Sequence, residues 1–157
     1  MDKGDRMKKN NYRLIIDTRE QCPLWTTGVL RTKLDVGDYS IEVDGKNLSN
    51  EISIERKSLT DLFGTLGHGH KRFKAELERA LKLKYFAIVI DGGYTCCINK
   101  DFEKSYLLKM RGYVITSILF TIHVKYKIPI FFTQGRTESK RVIKEIFNAY
   151  YKIKNGS

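Results

Sequence analysis

Cysteine, proline and long apolar runs are all scarce in this sequence, which has 157 residues. Its three cysteines, an odd number without metal-site spacing, give no basis for a disulfide framework. We therefore expect an intracellular, reducing location and no secretion signal. No apolar run approaches the ~18 residues of a membrane span, so we expect no membrane association. With two prolines and no repeats or low-complexity linker, nothing indicates a second domain.

Acidic residues are also few relative to basic ones. Asp and Glu total 18 against 29 Lys and Arg, which gives a net charge of +11. A charge of this size on a small domain indicates a polyanionic partner, with nucleic acid first, although a charge kept only for solubility is the alternative. The hydrophobic fraction of 41% argues against disorder. We expect residues 1–11 to form a flexible basic arm and residues 12–157 to form one domain.

The hydrophobic pattern predicts an α/β fold with a mixed central sheet flanked by helices. Strands are expected over residues 12–17, 29–36, 39–43, 51–57, 85–90 and 128–132. Helices are expected over residues 58–66, 71–84, 102–110, 113–126 and 137–152. The Asp44-Gly45 pair predicts a hairpin turn between the third and fourth strands. Strands and helices alternate in the second half, which is typical of a parallel or mixed sheet covered on both faces.

The stretch from Ile52 to Asp61 concentrates the candidate chemistry. Side chains alternate along a strand, so Glu55 and Lys57 share one face, about 6.6 Å apart, while Arg56 points to the other. A carboxylate beside an ammonium is what a metal-dependent phosphodiesterase requires, because the carboxylate can hold a cation and the lysine can act on water or phosphate. Antiparallel pairing of the hairpin brings Asp38 to the same end of the sheet.

These positions define a candidate Mg²⁺ site, since Mg²⁺ usually binds one or two carboxylates. Asp38 and Glu55 are the leading ligands. Lys57 is expected to orient or deprotonate the attacking water, or to stabilise developing negative charge. Asp17, at the end of the first strand, is a further acid that we expect to act as an outer ligand or through bridging waters, with a polar turn as the alternative. Asp61 has two readings: an outer acid of the site, or part of the helix start that Ser58 caps.

Basic residues beside this set are candidates for gripping the DNA backbone. Arg19 follows the first strand within the run Asp-Thr-Arg-Glu that begins at Asp17. Lys71 and Arg72 open a predicted helix, where positive charge does not help the helix dipole and therefore favours an external anion. A solvated helix face is the alternative for these two.

Six positions in fixed order resemble a family signature. Gly37-Asp38, followed by Glu55-Arg56-Lys57 and then Asp61, matches the GD…ERKxxxD pattern of XPF-type structure-specific endonucleases. The run Asp17-Thr18-Arg19-Glu20 resembles the D-x-R-E of the same family. The resemblance covers about residues 12–153. The tandem helix-hairpin-helix module that usually follows in the family is missing, so we expect the nuclease domain to stand alone.

The resemblance implies a restriction-endonuclease-like PD-(D/E)XK core and Mg²⁺- or Mn²⁺-dependent DNA cleavage. The resemblance implies that Asp38 and Glu55 bind the metal and that Lys57 is catalytic, and Asp17 is a further metal candidate. Because alternation turns the Arg56 side chain away from Glu55, we expect Arg56 to form a structural ion pair and to contact the metal through its backbone carbonyl. Family members cut branched DNA such as flaps and forks, which implies a role in DNA repair or recombination. Many form dimers, which implies a homodimer through helices 113–126 and 137–152.

Two other functions compete with an active nuclease. The first is a non-catalytic DNA-binding or dimerisation subunit of a nuclease complex, although such partners typically lose the acids that are present here. The second is a zinc protein that uses His68, His70, Cys96 and Cys97. Their spacing does not match the usual paired zinc ligands, so we expect no stoichiometric zinc.

Overall fold

A seven-stranded mixed sheet forms the centre of the computed structural model, which describes residues 10–156. The strands are β1 (Tyr12–Ile16), β2 (Val29–Arg31), β3 (Tyr39–Val43), β4 (Lys46–Asn47), β5 (Ile52–Ser58), β6 (Tyr85–Asp91) and β7 (Ile130–Phe132). Their order is β2-β1-β3-β5-β6-β7, with β4 paired to β3. Strands β1, β3 and β5 are antiparallel, whereas β5, β6 and β7 are parallel. The predicted α/β class is confirmed, while residues 1–9 of the predicted arm lie outside the described residues.

Helices cover both faces of this sheet. They are α1 (Leu59–Gly67), α2 (His70–Ala80), α3 (Tyr94–Asn99), α4 (Gly112–Tyr126) and α5 (Arg136–Lys154), with a 3-10 turn at Ser105–Leu107. The first four helices share a core with the side chains of Phe86, Ile88 and Ile90. Helix α5 packs on the other face against Ile54 and Val89. Across residues 10–156, no helix has both the length and the apolar character that a membrane crossing would need.

The hairpin forms at the predicted turn and aligns the two strands that matter for the site. Asp44 and Gly45 both adopt positive φ, 50° and 77°, as a tight hairpin turn requires. The turn leads into the short strand β4, which pairs with the far end of β3. Strand β5 then pairs along the same edge of β3, opposite β1, with Tyr39 facing Ile54. The N–H of Asp38 donates to the carbonyl of Ile54 over 2.8 Å. The expected meeting of Asp38 with the end of β5 is therefore present.

The predicted strand over residues 29–36 is wrong beyond Arg31, where β2 ends. The Leu34 N–H donates to Asp17 Oδ1 over 2.9 Å, and the Leu34 carbonyl accepts from Arg19 Nη2 over 2.8 Å. Side chains thus satisfy backbone groups that a sheet ladder would otherwise use. The alternation of apolar residues is real, since Leu34 and Val36 are buried, but it belongs to a loop packed on the core.

Three other predicted boundaries also need correction. The expected helix over residues 102–110 is only the Ser105–Leu107 turn, preceded by Lys104 at φ 59°, a conformation that no helix continues. Helix α2 ends at Ala80 instead of residue 84, because the chain there turns toward β6. Strand β7 begins at Ile130, after Pro129, which has no N–H to give to a ladder.

Candidate active site

Four of the predicted catalytic residues, Asp17, Asp38, Glu55 and Lys57, meet on the face of the sheet that α2 covers. Glu55 pairs in register with Ile88, whose side chain belongs to the α1–α4 core, so Glu55 and Lys57 face α2. Lys57 Nζ lies 3.3 Å from Glu55 Oε1, and Asp38 Oδ2 accepts the Arg56 N–H over 2.8 Å. A cavity of about 290 Å³ opens here, and its lining residues are Asp17, Arg19, Asp35, Gly37, Asp38, Glu55, Arg72, Glu76 and Arg79.

Gly37 is the residue that lets Asp38 approach β5 this closely. Its φ is +79°, and a Cβ at this position would lie 2.1 Å from Ser53 Oγ. Any side chain would therefore clash with β5 as well as strain the backbone. The Gly-Asp pair in the sequence thus has a structural reason: the glycine makes the close turn, and the aspartate that follows is pressed against the strand carrying Glu55.

Glu55 is buried and Asp38 is half-buried, and the cations nearby do not offset the effect of this burial on their pKa values. Burial raises the pKa of Asp38 to about 7, although the hydrogen bond from the Arg56 backbone opposes this. Burial, followed by repulsion from Asp38 and Glu76, raises the pKa of Glu55 well above its ordinary value. Taking a charge out of water favours its neutral form, and neighbouring like charges add to that effect. An additional cation in the cavity would relieve both.

Lys57 responds to the same environment in the opposite way. Burial disfavours its charged form, but attraction to Glu55 and then Asp38 more than offsets this, so the pKa of the Lys57 ammonium is raised. The ammonium also lies 5.8 Å from the centre of the Phe73 ring on α2. Lys57 is therefore a firmly charged group held between strand and helix, suited to stabilising negative charge.

Asp17 is committed to holding the neighbouring loop. It is only 3% exposed. Its Oδ1 accepts the Leu34 N–H, and its Oδ2 accepts Arg19 Nε over 2.9 Å. The carboxylate lines the cavity beside Asp38 and Glu55, so the structure brings three of the four predicted acids together. Its hydrogen bonds also position Arg19, whose guanidinium lies at the cavity wall.

Arg56 and Asp61 lie in a second cavity, of about 620 Å³, rather than with Glu55. Its lining residues are Arg19, Glu20, Gln21, Cys22, Arg56, Ser58, Asp61, Asp91, Gly135 and Arg136. The Arg56 guanidinium forms a close ion pair with Asp91, as the predicted structural ion pair requires. Asp61 is exposed, and its N–H donates to Ser58 Oγ over 3.1 Å at the start of α1. Of the predicted DNA contacts, Arg19 and Arg72 line the first cavity, whereas Lys71 is exposed and lines neither.

Glu76 was missed by the sequence reasoning. It projects from α2 into the cavity, where its Oε1 accepts the Gly37 N–H over 3.3 Å. Its charge contributes to the raised pKa of Glu55. A signal was available, because Glu76 follows Arg72 by four residues and adjoins the buried Leu77, so an acid borders the apolar side of the predicted helix. Nothing in the sequence placed that helix over Glu55.

The donor set suits a hard divalent cation. Within residues 10–156, no three His, Cys, Asp or Glu side chains form a ready-made metal cage. Mg²⁺ does not require one, because it commonly takes one or two carboxylates and keeps several waters. Asp38 and Glu55 supply two carboxylate ligands. Their pKa values are raised chiefly by burial, and a cation bound between them would favour the charged forms. These two residues could hold Mg²⁺ or Mn²⁺.

The fold, a mixed sheet between helices, matches that of an XPF protein. The chain belongs to the ERCC4 domain family, whose model matches residues 16–146. It resembles the solved structure of XPF from Aeropyrum pernix, with a TM-score of 0.63 and 19% identity over 88% of this chain. The DNA complex of that protein gives a TM-score of 0.64 and 19% identity over 89% of this chain.

The chain spans 61% of the first of these solved chains and 65% of the second. No curated protein sequence matches it. At this level of identity the likeness establishes the fold, and the resemblance predicted from the Gly-Asp and Glu-Arg-Lys motifs is confirmed at the level of family and fold.

Proposed function

We propose that this chain is a divalent-metal-dependent DNA endonuclease that cuts branched DNA, such as flaps or forks. The observation that carries the proposal is a pair of carboxyls, the half-buried Asp38 and the buried Glu55, beside the charged Lys57. A domain that only bound DNA would have no use for two acids whose burial raises their pKa values. Membership of the ERCC4 domain family supports a nuclease.

Asp38 and Glu55 would hold Mg²⁺ or Mn²⁺, with the backbone carbonyl of Arg56 as a further ligand and Asp17 as an outer one. A divalent cation bound there would stabilise charge on the phosphate and activate a water molecule. Lys57 keeps its proton because Glu55 and Asp38 raise its pKa, so we assign it to charge stabilisation at the phosphate rather than to removing a proton.

Basic side chains around the cavity would position the DNA backbone. Arg19 and Arg72 line the cavity, and Arg79, one turn further along α2 from Glu76, lines it as well. Lys71 precedes Arg72 at the exposed start of the helix. Such contacts fix the register of the phosphate backbone and are independent of base sequence, which suits an enzyme that selects DNA by structure. The net charge of +11 favours association with DNA over a long range.

We also propose a homodimer, with α4 as its main surface. Tyr113, Phe120 and Val124 are exposed along one side of this helix, and the exposed Tyr94 packs against Phe120. Contiguous apolar exposure of this kind marks a protein interface. Helix α5, the other predicted dimer helix, exposes mainly basic residues on its outer side, and paired copies would repel one another there. A monomeric mass in solution would contradict the dimer.

The three free cysteines fit the predicted intracellular location.

A cleavage panel tests the catalytic proposal. Labelled duplex, single-stranded, flap, fork and four-way DNA would be incubated with protein in Mg²⁺, Mn²⁺ or EDTA. We expect metal-dependent cutting, strongest on DNA with a junction. Glu55→Gln should reduce the rate by about 10³-fold or more, and Lys57→Ala by about 10²-fold, while both still bind DNA. Glu78→Gln, on the exposed side of α2, is the matched control and should cut normally.

Two outcomes would decide against the proposal. Cutting that survives Glu55→Gln and Asp38→Asn would show that this cluster is not the active site. Absence of cutting on every DNA by the unaltered protein, together with tight and salt-dependent binding, would instead favour the non-catalytic DNA-binding subunit.

A further inference from the structure

Helix α5 carries three basic residues spaced four apart, Arg136, Lys140 and Lys144, which are here called the basic strip. Residues four apart lie on the same side of a helix, about 6 Å apart along its axis. All three are exposed. The strip borders the buried side of α5, where Ser139, Ile143 and Phe147 pack onto the sheet. It therefore lies beside the contact between helix and sheet, and not on the side of the helix that faces away from the sheet.

The two lysines of the strip lie over aromatic rings. Lys140 Nζ is 5.6 Å from the centre of the Trp25 ring, and Lys144 Nζ is 4.7 Å from that of Tyr12. Both rings are half-buried, and each also contacts a neighbouring aromatic side chain, which fixes its orientation. Each of the two ammonium groups therefore lies over an aromatic ring whose orientation is fixed.

The strip lacks acidic neighbours. Within residues 10–156, no carboxylate lies within 4 Å of the Lys140 or Lys144 ammonium groups, whereas Arg141 on the same helix pairs with Glu145 over 3.4 Å. Burial lowers the pKa of Lys144, as expected for an ammonium that loses water without gaining an anion. An external anion would supply the negative charge that these lysines lack.

The strip starts next to the candidate active site. The Arg136 guanidinium donates to the carbonyls of Cys22 and Pro23 and lines the cavity that contains Arg56. Arg19 lines both this cavity and the one with Glu55. A nucleic-acid strand leaving the site past Arg19 would therefore reach Arg136 and could continue along α5 on the opposite face of the sheet.

We propose that the basic strip, with Trp25 and Tyr12, binds a single-stranded segment of the DNA substrate, which deepens the proposed function and rests on it. Arg136, Lys140 and Lys144 would contact successive phosphates. The aromatic faces favour a single strand over a duplex, because only unpaired bases can stack on them. As the lysines turn outward to the phosphates, the ring faces of Trp25 and Tyr12 become free for stacking.

Trp25 is the sole tryptophan of the chain and therefore reports on its own site. The unaltered protein would be titrated in EDTA with an oligothymidylate of about 12 nucleotides, a length within the usual site size. We expect saturable quenching of tryptophan fluorescence. Each phosphate contact on a single strand contributes about 0.7 to the salt dependence of binding. Lys140→Ala/Lys144→Ala should therefore flatten the slope by about 1.4 and weaken binding about tenfold at low salt.

Lys125→Ala is the matched control, because Lys125 also lies over an aromatic ring, 5.3 Å from that of Tyr126, but on α4. It should bind the oligonucleotide like the unaltered protein. An unchanged slope and affinity in the double variant, or strand binding detected by anisotropy without any change in Trp25 fluorescence, would overturn the proposal. A separate assay of metal-dependent cutting by the unaltered protein distinguishes the two failures: lost cutting with intact strand binding contradicts only the nuclease.

Discussion

Two faces of one strand, β5, treat charge in opposite ways. On the α2 face, Glu55 pairs with Lys57 and lines a cavity together with Asp38, and burial raises the pKa values of both carboxyls. On the α5 face, the Arg56 side chain is also buried, with 8% of its surface exposed, but it pairs directly with Asp91, whose side chain is 7% exposed. Strand alternation thus places neighbouring residues of one motif in two different environments. One is a cluster with excess negative charge, and the other is an ion pair whose charges balance.

This difference separates charged residues that stabilise the fold from charged residues available for metal binding and catalysis. In a buried ion pair the two charges compensate each other, so no ligand is needed. Buried acids with too few cations near them destabilise the fold until a cation binds. The α2 face also holds Glu76, which adds a further negative charge next to Glu55. We therefore expect substitutions on the α5 face to act on stability, and substitutions on the α2 face to act on metal binding and cleavage.

The largest expected effect on stability comes from Arg56→Met. It would leave the Asp91 carboxylate buried without its cation, and Asp91 Oδ1 already has no hydrogen-bond partner within residues 10–156. Breaking a buried pair on one side costs about 3–5 kcal/mol. Urea unfolding at pH 7 would measure the loss. Arg13→Met is the control, because Arg13 pairs with Glu42 at the surface and should cost less than about 1 kcal/mol.

The double variant Arg56→Met/Asp91→Leu sharpens this test, because it removes both charges and should recover most of the lost stability. It also remains informative if Arg56→Met alone does not fold. A single variant as stable as the unaltered protein would show that the α5 face does not depend on the pair.

An effect of intermediate size is expected for Asp38→Asn, with the opposite sign. The folded-state pKa of Asp38, about 7, lies above its ordinary 3.8, so the folded protein holds this proton more tightly than the unfolded chain does. The carboxyl therefore costs nothing below about pH 4, costs progressively more as the pH rises, and costs its full amount above about pH 7. Without metal, Asp38→Asn should stabilise the protein by about 1–2 kcal/mol at pH 8 and hardly at all at pH 4.

Thermal unfolding in EDTA across this pH range measures the difference, and Asp101→Asn, at an exposed position, is the control. Added Mg²⁺ should then raise the melting temperature of the unaltered protein more than that of Asp38→Asn, because a ligand stabilises the state that binds it. A variant less stable than the unaltered protein at pH 8 would show that Asp38 is already compensated in the folded state.

The sequence was sufficient where short-range periodicity decides the structure. Period-two alternation placed Glu55 and Lys57 together and Arg56 opposite, and the Asp44-Gly45 turn brought Asp38 to them. It failed over residues 32–36, where the distant Asp17 carboxylate takes a backbone N–H that a strand would use. Packing of that kind is not encoded in local pattern.

Glu76 was missed for a related reason. Its helix was predicted, but the position of that helix over β5 depends on how α1 and α2 fill the core around Phe73 and Leu77. The family motif contributed the grouping of the acids, whereas the structure contributed their burial and hence their electrostatics. The raised pKa of Asp38 could not be predicted, because it follows from desolvation that no spacing reveals.

The smallest expected effect belongs to Asp61, the motif residue that the structure places away from Glu55. Asp61 is exposed in the first turn of α1, where its N–H donates to the Ser58 cap, and it lines the cavity on the Arg56 side. Its charge favours the positive end of the helix, an effect of about 0.3–1 kcal/mol. Asp61→Asn should therefore reduce stability by about 0.5 kcal/mol and cleavage by less than about threefold.

The cleavage rate of Asp61→Asn on flap DNA, compared with Glu55→Gln in the same assay, decides between the two roles of this residue. Asp61→Glu provides the matched control, since it keeps the charge in the first turn while moving the carboxylate by one methylene. If Asp61 acts only at the helix start, Asp61→Glu should behave like the unaltered protein. A hundredfold loss of cleavage in Asp61→Asn, with stability unchanged, would instead make Asp61 an outer acid of the active site and join the two faces of β5 in one catalytic unit.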